Sequence, residues 1–582
     1  MPILVLLLIP ILGYATYFWL NSIVNEELTD LGLTAQEMCA PDFVEIWENA
    51  GLAVSELNAA CEEIYPIFWL GDASLYSGIA SVIFLFLIVL LPFVAGTNRS
   101  RLSSIFSVLV PFTLVFVAIS TLVQGGIITY SLYAVQVNLM EAWYPFITLG
   151  IGLGALFVAF SVISAAFSIN RQVTMQQMAI DADEIKYPEL WKFVRDIANK
   201  VGAPVPDNIA IGLEPTFYAT SANVRVLSSD KNLSGETLYV SLPLMRLFTN
   251  EEFGAVIGHE LGHFKGNDVQ YTMKFAPLYR ALATAVENAA ADGKIMAIPA
   301  LSVLSFLLVR FSNSEKEISR QREFEADNVG AEATSNDALA AALIKVTAFA
   351  NMWSDLVYEV IDNLEYGRPV KNLSVLYASK VAYDTDASAA EKVVQENLNY
   401  KVSHPTDTHP TLSERLKNLG ATDNFSTLQL GILSESSLKL VNEAKNLEIE
   451  LSLVQQKSYE MTGLVQYESK KSDDADVVYG VARLVQAAAA TMVCADGKVE
   501  PSEIAEAELK GKEMIANFNS LEFRELCLTP DTLPDAAELT SLSKKIFSDE
   551  NIRQLKELLK SIASADGNIS DEEQAFIDSF AS

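Results

Sequence analysis

Positive charge, histidine and cysteine are all scarce in the 582-residue sequence. Its 41 basic residues stand against 73 acidic residues, and the formal net charge is −32. Nucleic-acid phosphates would repel such a chain, so we expect it to bind no nucleic acid. The four cysteines include no CxxC pair, which argues against a zinc ribbon and against a thioredoxin-type redox site.

Apolar residues make up half of the chain, and the mean hydropathy of +0.24 suggests membrane spans. The first 170 residues contain four apolar runs, each close to the roughly 20 residues that a helix needs to cross a bilayer. The first run has no basic n-region and no small-residue cleavage site, so we expect a retained anchor rather than a cleaved signal peptide. Residues 1–170 are therefore predicted to form a membrane anchor of four transmembrane helices. The runs are Ile3–Ile23, Gly78–Gly96, Ile105–Ile128 and Pro145–Ile169.

The loops between these runs differ in their basic residues. Loops 21–77 and 131–144 contain no Lys or Arg, whereas Arg99 and Arg101 lie in the loop between them and Arg171 follows the last run. Basic loops stay in the cytoplasm. The first and third loops are therefore predicted to face outward, and the rest of the chain after the last run is predicted to be cytoplasmic.

The four cysteines fall into two pairs by location. Cys39 and Cys61 lie in the acidic outer loop, where an oxidising compartment would allow a disulfide. The sequence leaves open whether that disulfide forms. Cys494 and Cys527 are predicted to be cytoplasmic and should be free thiols.

Residues 171–420 have the mixed pattern of a soluble α+β domain. An amphipathic helix is predicted over Tyr187–Val201, and short strands are predicted over Asn208–Ile211 and Thr237–Val240. Together with the membrane helices and a helical C-terminal part, this domain makes the expected fold class mainly α.

The last part of the chain contains an internal repeat, because Ala495–Glu503 is similar to Ala565–Glu573. Both copies lie between helical stretches. We expect a small all-α domain over residues 476–582, after a helical linker over residues 421–475. The acidic side chains of the two copies could bind a cation. We favour ordinary turn and helix-cap chemistry, because the twelve-residue spacing of an EF-hand loop is missing.

The segment His259-Glu-Leu-Gly-His263 is the strongest chemical signal in the chain. Thr249, followed three residues later by Glu252, predicts a capped helix that contains this segment. Residues i and i+4 share one face of a helix, so both imidazoles can bind one Zn²⁺, and Glu260 can reach a water molecule beside the metal. The alternative is a helix with two incidental surface histidines, although only four histidines occur in the whole chain.

A catalytic zinc needs a third protein ligand and an open position. By chemistry alone, the candidates are His404, His409 and a carboxylate on a later helix. Glu323-Phe-Glu-Ala-Asp327 supplies such a carboxylate, on a helix expected from about Pro299 through Val329. An acidic cluster standing alone would more simply be a solvated helix face, so these residues leave the third ligand open.

Three segments together resemble one known family. The His259–His263 motif, the segment Ser319–Asp327 and the segment His409–Arg415 match, in order, the motifs of the membrane zinc metallopeptidases that include HtpX and the CAAX prenyl proteases. The resemblance covers about residues 181–420. It implies a zincin-type domain with one Zn²⁺ per chain, held by His259, His263 and Glu323.

The same resemblance implies roles for neighbouring residues. Glu260 would be the general base, and Asp327 would orient a ligand histidine. His409 and Arg415 would lie beside the metal as catalytic residues and donate to the negative oxygen that forms on the reacting carbonyl. On the alternative interpretation, which stays open, Arg415 only pairs with Glu414 on a helix surface.

The chain departs from the family in two places. HtpX-type proteins have a transmembrane hairpin between the first two motifs, but here only Ile295–Val309 is strongly apolar. We predict that this segment is buried in protein or interfacial and does not span the membrane. Phe217–Ala222 stands where the family has its substrate-binding edge strand, but it lacks the family's Asn.

We therefore expect a zinc metalloendopeptidase of the bacterial inner membrane that cleaves membrane or membrane-proximal proteins in protein quality control. Its partners would be protein or peptide substrates and the lipid bilayer. The C-terminal repeat resembles TerB-like domains, which suggests a module for a regulatory partner. Two alternatives stay open: a CAAX-type endopeptidase acting on prenylated peptides, and a non-catalytic membrane scaffold with a structural metal site.

Overall fold

The computed structural model confirms the mainly α fold class and divides the chain into two compact units. The first comprises Met1–Val173 and Gln270–Arg320, and the second comprises Thr174–Val269 and Gln321–Ser582. The structure describes residues 5–50, 54–95, 99–166, 174–266, 278, 281–287, 290, 298–384, 392, 394–396, 398, 410–421, 435–465, 473–515 and 518–580.

Six helices form the first part of the first unit. They are α1 (Val5–Glu27), α2 (Ala35–Met38), α3 (Pro41–Asn49), α4 (Val54–Ala95), α5 (Arg99–Met140) and α6 (Pro145–Ala166). Four of them, α1, α4, α5 and α6, are long and apolar enough to cross a membrane, as predicted. Helices α4 and α5 are each 42 residues long, about twice what a bilayer needs. The apolar runs in the sequence therefore predicted only the most apolar part of α4 and α5, and both helices extend beyond it.

The loop between α1 and α4 is a small folded cap around helices α2 and α3. Cys39 and Cys61 form a disulfide and are buried together with Met38, Leu57 and Ile64. The structure thus decides a question that the sequence had left open. A loop of this size can bury only a small core of its own, and a covalent link compensates for that.

The second unit begins with short strands and three helices. They are β1 (Thr174–Gln177), β2 (Ala179–Asp181), α7 (Pro188–Val201), β3 (Asn208–Gly212), β4 (Tyr218–Thr220), β5 (Asn223–Val226), β6 (Lys231–Leu233), β7 (Thr237–Ser241), α8 (Leu242–Leu247) and α9 (Asn250–Lys265). The predicted helix and both predicted strands correspond to α7, β3 and β7. One sheet has the order β2-β3-β7-β4, with β3 and β7 parallel and β4 at one edge. The other has the order β1-β5-β6.

Helices make up the rest of the described chain. They are α10 (Ile298–Ala333), α11 (Asn336–Glu365), α12 (Leu373–Ser379) with a π-helical turn at Lys380–Asp384, α13 (Leu412–Leu419), α14 (Ala444–Met461), α15 (Asp473–Val493), α16 (Pro501–Met514), α17 (Ser520–Leu528), α18 (Ala536–Ile546), α19 (Asp549–Ala563) and α20 (Asp571–Ser579). One core joins α7, the strands β3 and β7, and helices α8, α9, α11, α12, α13 and α14.

The first turns of α10 contain the segment that was predicted to be buried or interfacial. Val303, Leu304 and Leu307 are fully buried and belong to the same core as Leu109 and Leu114 of α5. One face of the described part of the segment is therefore buried in protein, while Ile298 and Val309 are exposed. That the segment does not span the membrane stays a prediction. Its apolar part, Ile298–Arg310, is shorter than the four membrane-length helices.

Helices α15 to α20 surround a separate core, and the repeat lies in two loops of equal geometry. The backbone N–H of Lys498 donates to Asp496 Oδ1 at 2.8 Å, and that of Asn568 donates to Asp566 Oδ1 at 2.8 Å. Each loop ends one helix, and Glu573 belongs to the capping box of the next helix, α20. These contacts agree with the turn-and-cap interpretation of the repeat.

Candidate metal centre

Helix α9 presents the two histidines. The Thr249 hydroxyl accepts from the backbone N–H of Glu252 and the Glu252 carboxylate accepts from that of Thr249, which is the predicted capping box. The imidazole rings of His259 and His263 have centroids 4.9 Å apart and are nearly perpendicular, at 88°. One helical turn therefore brings both rings to the same side of α9.

A buried lysine that the sequence analysis missed holds the start of this helix. Lys345 of α11 is 1% exposed, and its ammonium donates to the Leu247 carbonyl at 2.8 Å and to the Glu252 carboxylate at 2.9 Å. Glu252 thus serves both the cap of α9 and this ion pair. A lysine inside an apolar helix pattern has no distinctive spacing, so the sequence contained no signal for it.

Helix α10 brings Glu323 to the two histidines. Glu323 Oε2 lies 3.6 Å from His259 Nε2, and Glu323 Oε1 lies 3.7 Å from His263 Nε2. One ligand atom from each of the three residues lies within 4.8 Å of the others. His404 and His409, the other candidates for a third ligand, lie outside the described residues.

The donor set fits zinc. Ligand atoms about 2.0 to 2.2 Å from a tetrahedral Zn²⁺ lie about 3.3 to 3.6 Å from one another. The two carboxylate–imidazole distances of 3.6 and 3.7 Å are close to that range. Two histidines and one glutamate are a known ligand set of catalytic zinc, and this set leaves the fourth position open.

The far side of the His259 ring is also held. Its Nδ1 lies 3.0 Å from Asp327 Oδ1, which directs Nε2 toward Glu323. Arg415 of α13 donates to both Asp327 oxygens, from Nε at 2.9 Å and from Nη2 at 2.5 Å. Such a chain of contacts fixes the orientation of a ligand imidazole.

Charge explains why Asp327 tolerates complete burial. Burial alone would raise the pKa of this carboxyl, but hydrogen bonds from Arg415 and His259 outweigh it and lower the pKa. Burial likewise opposes the charged guanidinium of Arg415. Hydrogen bonds and charge from Asp327, with smaller contributions from Glu323 and Glu260, outweigh burial and raise the Arg415 pKa.

Small residues allow α9 and α10 to approach closely. A Cβ added to Gly330 would lie 2.7 Å from the Ala255 carbonyl oxygen and 3.1 Å from His259 Cβ. A Cβ added to Gly258 would lie 2.4 Å from Ala333 Cβ, and one added to Gly262 would lie 3.1 Å from Ala326 Cα. The glycine pair at 258 and 262 has the same four-residue spacing as the histidines, and this spacing is a sequence signal for close packing on one helix face.

The remaining predicted site residues have different outcomes. Glu260 is buried on α9, next to His259. Arg415 pairs with Asp327, while the Glu414 carboxylate accepts from the backbone N–H of Thr411 in the cap of α13. The surface pairing of Arg415 with Glu414 is therefore not what positions the arginine. His409 immediately precedes the described stretch that leads into α13.

Strand β4 forms one edge of its sheet and contacts α9. Phe217, just before β4, stacks on Phe248 and packs against Phe253 of α9. Tyr218 stacks on Tyr239 of β7 with ring centroids 4.8 Å apart. These aromatic contacts hold the edge strand beside the helix that carries the histidines.

Residues 229–423, which contain His259, His263 and Glu323, match the family model of Peptidase family M48. The chain is also similar to curated relatives named "Protease HtpX homolog". That of Archaeoglobus fulgidus is 26% identical over 243 residues, which are 39% of this chain and 66% of the relative. That of Thermococcus kodakarensis is 30% identical over 186 residues, which are 29% and 60%.

A third relative, from Polynucleobacter necessarius, is 29% identical over 182 residues, which are 30% of this chain and 60% of the relative. The chain thus spans less than two thirds of the length of each of these three proteins. No solved structure matches it significantly. Together with the membrane-length helices, the matches support the family of HtpX-like membrane metallopeptidases.

Proposed function

We propose that this protein is a membrane-anchored zinc metalloendopeptidase that cleaves peptide bonds of membrane or membrane-proximal proteins. The observation that carries the proposal is the convergence of His259, His263 and Glu323 around one point, with Glu260 beside them. A purely structural metal site would have no use for Glu260, because Glu260 is not one of the three converging donors.

Zinc bound by these three residues would supply a Lewis acid that activates water near neutral pH and polarises the scissile carbonyl. Glu260 would accept the proton of the attacking water and then deliver it to the leaving amine. Asp327 and Arg415 would act as positioning residues that hold the His259 ring. His409 stays our candidate for a donor to the negative oxygen of the reacting carbonyl.

The substrate would lie along β4. An extended peptide can add to the free edge of a sheet through backbone hydrogen bonds, and β4 is an edge strand beside α9. The segment departs from the family pattern at its missing Asn, but backbone pairing depends little on side chains. The edge strand would therefore orient the substrate peptide, and the neighbouring side chains would select among peptide sequences.

We further propose that the active site and the C-terminal domain face the cytoplasm of a bacterial inner membrane. The distribution of arginines between the loops supports this orientation. The disulfide Cys39–Cys61 in the opposite loop also supports it, because disulfides persist in oxidising compartments. Domain limits at residues 170, 420 and 475, a TerB-like assignment of the last domain and a role in protein quality control belong to the same proposal.

Zinc dependence is the direct test. We expect the purified full-length protein, in detergent, to cleave casein, to stop after chelation and to recover with stoichiometric Zn²⁺. Glu260→Gln should retain zinc and lose about 10²- to 10⁴-fold in kcat, because only the proton carrier is removed. Glu323→Ala should instead lose zinc.

The same measurements, with one further substrate, distinguish the proposed endopeptidase from a structural scaffold and from a CAAX-type enzyme. A scaffold with a structural metal would show no hydrolysis in the wild type but would lose zinc in Glu323→Ala. A CAAX-type enzyme would cleave a prenylated peptide and leave its unprenylated counterpart intact. Near-normal turnover by Glu260→Gln would overturn the mechanism proposed for this site.

A further inference from the structure

Two free cysteines of the C-terminal domain lie against each other. Cys494 follows α15, and Cys527 lies in α17, which packs on α15. The Cys494 thiol donates to the Cys527 backbone carbonyl at 3.3 Å, which places the Cys494 sulfur beside Cys527. The residues are 33 positions apart in the chain, so the tertiary structure alone brings them together.

The two thiols differ in accessibility. Cys527 is 1% exposed and lies in the core of the domain, whereas Cys494 is half-buried at the start of the first repeat loop. The interaction with Cys527 lowers the pKa of the Cys494 thiol, against the opposing effects of burial and of Asp496. Burial raises the pKa of the Cys527 thiol. An oxidant from solution therefore meets the more acidic thiol first.

Packing alone accounts for only one of the two residues. A buried free cysteine behaves as a small apolar side chain, and Cys527 fits that description. Cys494 does not, because it is partly exposed and its sulfur lies against the Cys527 backbone carbonyl. In a reducing compartment, a pair of neighbouring thiols that can close a disulfide is typical of a transient, redox-responsive site.

We propose that Cys494 and Cys527 form a dithiol site that hydrogen peroxide converts into an intramolecular disulfide. The Cys494 thiolate attacks one peroxide oxygen and becomes a sulfenic acid, while the second oxygen leaves as hydroxide. The Cys527 thiolate then attacks the Cys494 sulfur, and the sulfenic oxygen leaves as water after taking up protons. Overall, two thiols and one peroxide give one disulfide and two water molecules, so the two electrons lost by sulfur reduce the peroxide.

The site lies on a helix that contacts the peptidase domain. Glu525 of α17 accepts from the backbone N–H groups of Lys371 and Asn372 at 2.7 and 2.8 Å. Asn519, the N-cap of the same helix, donates to Asn363 at 2.9 Å. A disulfide between Cys494 and Cys527 would therefore link α15 covalently to α17. Helix α17 is the helix whose Glu525 binds Lys371 and Asn372 of the peptidase domain.

The experiment uses the purified full-length protein and one equivalent of hydrogen peroxide. We expect tryptic peptides containing Cys494 and Cys527 to be recovered as one cross-linked species that lacks two hydrogens and is released by dithiothreitol. Cys494 should also be alkylated about tenfold or more faster than Cys527 before oxidation. The Cys39–Cys61 pair, already a disulfide, serves as the internal control.

Two variants define the roles. Cys527→Ala should let the Cys494 sulfenic acid accumulate, where dimedone traps it, and Cys494→Ser should abolish both products. The thermal midpoint of the C-terminal domain should rise on oxidation in the wild type and stay unchanged in Cys494→Ser. The proposal is overturned if the wild type keeps both thiols under excess peroxide, or if Cys494 passes to sulfinic acid without cross-linking.

Discussion

The peptidase domain and the C-terminal domain bury carboxylates in opposite ways. Asp327 is completely buried, and hydrogen bonds from Arg415 and His259 outweigh that burial and lower its pKa. Glu503 is also buried, but its neighbour is another carboxyl, Glu573, and its pKa rises to about 8. Burial alone thus does not set the charge of a carboxyl group. The neighbouring group decides whether the pKa of the buried carboxyl is lowered or raised.

The acid pair of the C-terminal domain consists of Glu503 and Glu573, which are hydrogen-bonded to each other. Glu573 accepts from the backbone N–H of Ser570 at 2.6 Å in the capping box of α20. Burial first, and then the hydrogen bond and charge of Glu573, raise the Glu503 pKa, with a smaller contribution from Asp566. Glu503 therefore holds a proton at neutral pH and shares it with Glu573 in a hydrogen bond.

The largest effect on stability is expected from removing the arginine that pairs with Asp327. Arg415→Ala would leave Asp327 buried with His259 as its remaining described partner, which should cost about 3–5 kcal/mol of unfolding free energy. Zinc affinity should fall by roughly 10- to 100-fold, because the His259 ring loses its support. Chemical denaturation and a zinc competition assay measure the two quantities.

A surface pair provides the matched control for this variant. Arg195 makes a bidentate contact with Glu184 at 2.5 and 2.6 Å, but both side chains are exposed. Arg195→Ala should therefore cost about 0–1 kcal/mol and leave zinc bound. If Arg415→Ala lowered only kcat while zinc affinity stayed unchanged, Arg415 would be a donor to the reacting carbonyl instead of a positioning residue.

A smaller effect is expected where α9 meets α10. Gly330→Ala places a methyl group 2.7 Å from a backbone oxygen of α9, which should cost about 1–3 kcal/mol and weaken zinc binding. Gly480 of α15 is the control, because a Cβ there meets nothing within 4 Å. Gly480→Ala should stabilise its helix by up to about 1 kcal/mol. Equal zinc affinity in the wild type and Gly330→Ala would show that this helix contact does not set the metal geometry.

Glu525→Ala tests the contact between the two domains. Two backbone N–H groups, those of Lys371 and Asn372, lose their acceptor, at a cost of about 1–2 kcal/mol if water replaces part of the interaction. The thermal midpoint should fall while zinc content stays at that of the wild type. Loss of zinc would mean that the C-terminal domain supports the metal centre itself.

The smallest effect is a change in pH dependence. Because the folded-state pKa of Glu503 is raised to about 8, its protonation stabilises the fold below the ordinary glutamate value of 4.5, and this contribution is lost as the pH rises to about 8. The thermal midpoint of the C-terminal domain should therefore fall between pH 5 and pH 8.5. Glu503→Gln should flatten that fall, since glutamine keeps a donor toward Glu573 without a charge. Parallel curves for the two proteins would contradict the shared-proton arrangement.

Local spacing predicted much of the peptidase region. The capping box of Thr249 and Glu252, the two histidines one turn apart and the strands at β3 and β7 depend on neighbouring residues, and all appear where the sequence placed them. The four membrane helices were also found, because an apolar run of sufficient length is itself the signal. Their full extents were missed, since polar helical ends resemble loops in composition.

The sequence by itself determined the elements and the set of candidate donors, because helix periodicity, caps and apolar length are local properties. The tertiary structure decided which candidates meet. Glu323 lies beside two histidines from a different helix, and Arg415 reaches Asp327 across 88 positions of the chain. The sequence left the disulfide Cys39–Cys61 open, and packing decided it. It predicted that Cys494 and Cys527 are free thiols, but only packing brought the two together. Contacts of this kind depend on how helices pack against one another, and no spacing within a single segment encodes that.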